Sequence, residues 1–195
     1  MELLLWRWST TVQVSSLTMI GLFFFLLARS VRMAALRWWV AAWLANLGAL
    51  AVTLAFWIWQ PPPLLLRFVV GPLYMGLKSA FVVLLLQGAW SVRRLRIASP
   101  RAVAVGICVY ALLVPVFVDV LYKIGIVQHT VMGLALVAAG AAMLISLDPG
   151  LPWLAVGFVV RGALAFAEAC AYGMGLLEPG TISPAWHGAA TTFLA

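Results

Sequence analysis

The chain has 195 residues, 66% of them hydrophobic and only 9% charged, with a mean hydropathy of +1.12. Soluble domains run nearer about 45–50% apolar and about 25% charged, so this composition cannot clothe a water-facing surface. The net charge of +7 comes from arginines set between apolar runs, where basic loops orient a chain in a membrane, and this removes nucleic acid as a partner.

Apolar runs of 18 residues or more predict α-helical spans, since a barrel would show ~10-residue alternating segments. The sequence therefore predicts an all-α integral membrane protein, one transmembrane domain over 1–195 with the lipid bilayer as its partner. In chain order the spans are about 11–29, 37–59, 65–90, 101–122, 129–147 and 152–177. Each is long enough to cross a ~30 Å core at ~1.5 Å per residue. Turn formers separate them: QPPP at 60–63, Ser99-Pro100, DPG at 148–150 and EPG at 178–180. The last segment, ISPAWHGAATTFLA, turns apolar again and predicts the start of a short or truncated seventh helix from 185.

Loop charge sets the expected orientation. Arg29, Arg32, Arg37, Arg93, Arg94, Arg96 and Arg101 flank the first and third connections, whereas Arg67 and Lys123 flank the second and fourth. By the positive-inside rule the N-terminus is outside and RSVRMAALR and SVRRLRIASPR are cytoplasmic. Most of the tryptophans fall near predicted span ends, where amphipathic rings favour the interface. Cys108 and Cys170 lie inside apolar runs without metal spacing and read as small core residues.

Ionisable groups at membrane depth are the candidate functional residues, because each costs roughly 2.5–3.5 kcal/mol to insert. Lys78 lies ~20 Å into the third span, and Arg161 and Glu168 lie ~14 Å and ~24 Å into the sixth. Asp119 is close to the outer end of the fourth. Arg161 and Glu168, seven apart, share one helix face, flanked by Tyr172 and small residues. Two readings of Lys78 stand: it snorkels toward the cytoplasmic interface, or it meets Glu168, Asp119 or an anionic ligand group. Asn46, midway along the second span, calls for an interhelical hydrogen bond, and Tyr74, Tyr122 and Tyr172 are candidate lining residues of a cavity open to the outside. Pro72 and Pro115 predict kinks. His129 and His187 fall at outer span ends and, with Glu178, lack the helical spacing of a metal site.

The stretches WRWSTTVQVSSLTMIGLFFFLLARSVR and LRWWVAAWLANLGALAVTLAFWIWQPP carry a resemblance in their tryptophan-rich span ends, their WW–N–QP pattern and their topology. The chain resembles the membrane-embedded N-terminal region of bacterial GGDEF proteins, the membrane-bound diguanylate cyclases of gammaproteobacterial type. The resemblance implies the bacterial inner membrane, multi-pass insertion, and a sensor relaying to a cytoplasmic output domain that makes cyclic di-GMP. No GGDEF or GGEEF motif occurs, so the chain as given is not expected to be an enzyme. Nor does any nucleophile motif, P-loop, HExxH or dinucleotide fingerprint, and no cofactor or metal is implied.

The expected function is a membrane sensory module that binds a small, zwitterionic or anionic ligand between helices, alone or as a homodimer. A small transporter or transporter subunit would use the same charges along a pathway, although the two halves show no inverted repeat. A structural bundle supporting a membrane partner is the third alternative.

Overall fold

A computed structural model describes residues 2–31, 33–59, 62–92, 99–117, 121–145 and 152–174. Every regular element among them is helical: α1 (Glu2–Ser30), α2 (Ala34–Trp59), α3 (Pro63–Leu65), α4 (Gly71–Val92), α5 (Pro100–Phe117), α6 (Leu121–Ile145) and α7 (Pro152–Gly173). A π-helical turn, Leu66–Val70, joins α3 to α4. Four stretches are long and apolar enough to cross a membrane: Ala34–Phe56, Leu66–Ser91, Lys123–Ile145 and Pro152–Gly173. Val14–Ser30 and Pro100–Leu113 are shorter apolar helices. Large apolar side chains stand exposed, among them Phe23 at 60%, Ile58 at 78% and Leu112 at 60%. Water would not tolerate that surface, whereas lipid covers it without cost, and we read the chain as a membrane protein.

The chain divides into two compact units, Val14–Asp119 and Met1–Gln13 with Val120–Ala195. In the first, α4 packs on α2 and on α5. The α2–α4 contact runs antiparallel. Trp39 Nε1 donates to Leu85 O at 3.2 Å, Trp43 and Phe81 pair at 5.4 Å, and Lys78 meets Asn46 one step further along. The Trp39 indole occupies the space a Cβ at Gly88 would need, so the two helices approach there only because residue 88 is glycine. Phe24 on α1 meets both Trp39 and Trp43, extending the aromatic cluster to a third helix.

Local sequence explains the element ends in this unit. Ser99 caps α5, its Oγ accepting from the Ala102 N–H at 3.2 Å, and Pro100 sits at the first helical position, where its missing N–H is no loss. At Pro72 the absent N–H and the ring's clash with the preceding turn are absorbed by the π-helical turn, in which the Gly71 N–H reaches Leu66 O. The distortion expected at Pro72 thus takes the form of a widened turn just upstream. The side chain of Pro115 lies outside the described residues.

In the second unit α6 and α7 form an antiparallel hairpin. Buried α7 positions Ala155, Phe158, Gly162, Ala165 and Ala169 recur every three or four residues, and all but Phe158 are small. Small residues on a packed face let backbones approach, which is how helices gain van der Waals contact in lipid. A Cβ at Gly140 would lie 2.7 Å from Ala155 O, and one at Gly162 would lie 2.6 Å from Val137 Cγ2.

Two expectations change. The fifth helix begins at Leu121, not near 129, because nothing between Tyr122 and His129 breaks a helix and Lys123 starts the apolar stretch instead of interrupting a loop. Cys108 and Cys170 are exposed on their helices and not in the core, since each stands to the side of its helix's buried stripe, marked by Ala111 on α5 and by Ala165 and Ala169 on α7. The α7 helix ends at Gly173, and the expected seventh helix from 185 lies outside the described residues.

Candidate functional site

Buried polar side chains mark the candidate sites, since each requires a partner in an apolar medium. Among the described residues they include Asn46, Gln87, Gln128, His129 and Glu168. Each of the two units brings buried or half-buried polar side chains together between helices.

In the first unit, Lys78 Nζ donates to Asn46 Oδ1 at 2.9 Å. Lys78 lies ~18 Å from Leu66 and ~20 Å from Ser91 along its span, so it occupies the middle. Its ammonium is turned to a polar partner on the neighbouring helix. Of the expected partners, Asp119 lies outside the described residues. The partner seen here is Asn46, itself midway along Ala34–Phe56. Tyr74 is half-buried one turn before Lys78 on the same helix face.

In the second unit, Glu168 is the centre. Its Oε2 meets His129 Nδ1 across the hairpin, and its Oε1 lies 3.6 Å from Arg161 NH1 on its own helix. The His129 and Glu168 side chains are 10% and 5% exposed, and Arg161 is more open at 23%. Tyr172, one turn beyond Glu168, stacks on the His129 ring at 5.6 Å between centroids and 22° between planes. The glycine at 125 leaves room for the Tyr172 ring, which would otherwise stand 3.2 Å from a Cβ there.

The seven-residue spacing places Arg161 and Glu168 on one face, and the structure brings Arg161 NH1 within 3.6 Å of the carboxylate. His129, by contrast, belongs in the site and not at an outer span end. The signal was available: LYKIGIVQHTVMGLALV has no break before His129, so a span starting at Lys123 buries it by nearly two turns. Which α7 residue it meets depends on the hairpin register, which no local pattern gives.

Chemically, the cluster brings together a fixed cation, a carboxylate and an imidazole, groups that an apolar medium admits only at a cost. Among the described residues no three of His, Cys, Asp and Glu gather as a metal site. No protein-family model, curated protein or solved structure matches the chain.

Proposed function

We propose that this chain is a multi-pass module of the bacterial inner membrane that receives a small ligand among its helices and passes the change to a cytoplasmic output. Six spans with the N-terminus outside is the topology we infer. The four long apolar helices support it, and α1 and α5 supply two more: Val14–Ser30 and the 18-residue α5 reach ~26 Å and ~27 Å, close to a ~30 Å core. The arginines clustered around the first and third connections support the orientation.

The observation that carries the receptor reading is the His129–Glu168–Arg161 cluster. A hairpin held by close glycine contacts needs no ionisable side chains for packing, and three are inserted into it at a cost. A ligand acts by differing in affinity for two arrangements of the helices, and a buried charged cluster is where a modest change in occupancy alters packing. The output domain is of the diguanylate cyclase type, consistent with the resemblance of the first two spans, and catalysis resides there and not in this chain.

The test is a chimera in which this chain precedes a diguanylate cyclase domain, with cyclic di-GMP measured in cells. Glu168→Gln is expected to change the output at least threefold at equal membrane abundance. An output identical to that of the unsubstituted chimera would overturn the receptor reading.

A further inference from the structure

We propose that His129 and Glu168 form a proton-binding site inside the α6–α7 hairpin, and that the proton is the ligand this module receives. The second clause rests on the receptor reading above; the first stands by itself.

The contact between His129 Nδ1 and Glu168 Oε2 sets the chemistry. Both atoms carry lone pairs, and a proton on Nδ1 between them would turn this buried ion-pair contact into a hydrogen bond. In the neutral ring that proton is the Nδ1–H, donated to the carboxylate, and Nε2 is left as the basic nitrogen. Loading the site forms one N–H bond at Nε2, breaks one O–H bond of hydronium and releases water. No heavy-atom bond forms and nothing is oxidised or reduced.

The surrounding groups give the proton a consequence. From α7, the Glu168 carboxylate faces the imidazole, and the Arg161 guanidinium lies 3.6 Å from the other carboxylate oxygen. Tyr172, also on α7, presents its ring face to the imidazole, which suits a cation. On α6 the charged side chain among the described residues is Lys123, exposed at the helix start, and the neighbouring Gln128 is neutral. Arg161 and Glu168 alone cancel. Adding a neutral imidazole keeps the cluster at zero charge, a state lipid tolerates, and protonating it gives one net positive charge inside the hairpin. A single proton therefore takes the site from zero to one positive charge, with the imidazole as its acceptor.

Depth gives the route. His129 is ~12 Å from Leu121, and Glu168 is ~8 Å from Gly173, so the cluster lies nearer that end of the hairpin. The topology we infer places that end outside, so the protons come from the outer aqueous phase.

The chain contains two histidines, so His187→Gln leaves His129 as the sole imidazole. The experiment is nitrogen-15 NMR of the histidine-labelled His187→Gln protein in lipid nanodiscs, titrated between about pH 8 and pH 5, the range in which imidazole changes charge. The expected result is a neutral ring protonated on Nδ1 that converts in one step to the doubly protonated form. In Glu168→Gln the same conversion is expected to need at least tenfold more protons, and in Arg161→Gln fewer. A ring that keeps one charge state throughout, or a neutral ring protonated on Nε2, overturns the proposal, and both are read without touching Glu168. A Glu168→Gln protein that converts at the unsubstituted proton concentration overturns the pairing. The NMR signal is independent of any output domain, so a normal titration beside a chimera indifferent to acid would defeat the receptor reading alone.

Discussion

Lys78 Nζ donates to Asn46 Oδ1 at 2.9 Å across the α2–α4 interface, two polar groups meeting midway along two apolar spans. Interhelical hydrogen bonds in membranes are worth about 0.6 kcal/mol on average and up to about 1.7. Asn46→Leu is expected to cost about 1–2 kcal/mol, because it removes an acceptor from a half-buried ammonium. Lys78→Met combined with Asn46→Leu should recover part of that loss, since replacing both partners by apolar groups leaves no unmet group in this contact. Reversible unfolding in detergent of the two single variants and the double variant closes the cycle, and additive losses would mean the contact contributes nothing.

The Glu168 cluster predicts a stronger asymmetry. Glu168→Leu takes the carboxylate away from both Arg161 and His129, and removing one member of a buried pair costs about 3–5 kcal/mol. Arg161 is partly open, so relaxation toward the lipid headgroups should hold the loss near about 2–3 kcal/mol. The double variant Arg161→Leu, Glu168→Leu is expected to be more stable than Glu168→Leu alone. The reverse order in a melting series would show that Arg161 does not depend on the carboxylate.

The close approach in the α6–α7 hairpin is testable at two glycines of opposite surroundings. Gly140→Leu must push Ala155 O and Val159 Cγ2 away from contacts of 2.7 Å and is expected to cost about 1–3 kcal/mol. Gly157 has nothing within 4 Å of its Cβ position, and Gly157→Ala should gain up to about 1 kcal/mol from helix propensity. Thermal denaturation of the two proteins should therefore move in opposite directions.

The α2–α4 contact makes a parallel case at Gly88. Gly88→Ala drives a methyl into the Trp39 indole, and the bond from Trp39 Nε1 to Leu85 O should be lost with it. Trp39→Phe, which gives up only the N–H, is expected to cost about 1 kcal/mol. Gly88→Ala should cost more than that, and equal losses would show that the ring moves aside freely.

The inferred topology has a direct readout in reporter fusions. Green fluorescent protein joined after Val31 or after Ser99 should fluoresce, and joined after Pro62 it should stay dark, with alkaline phosphatase giving the opposite pattern. Fluorescence after Pro62, with alkaline phosphatase active after Val31 and Ser99, would reverse the orientation and move the proton source to the cytoplasm.

The membrane class and the helical character were legible in the amino-acid order, because run length and scarcity of charge decide them without reference to folding. So was the shared face of Arg161 and Glu168, which follows from helix geometry within one element. The same local logic said that Lys78 and Asn46 each needed a partner in an apolar medium. It did not say that they were each other's partner. That depends on the register of α2 against α4, set by where Trp39 finds Gly88 and Trp43 finds Phe81. His129 shows the same division. Its burial follows from a helix that starts at Leu121, but its contact with Glu168 exists because Gly140 and Gly162 fix how α6 and α7 slide past each other. A single chain's periodicity reports which side chains share a face. Only close packing between two helices determines which faces meet, and at what height.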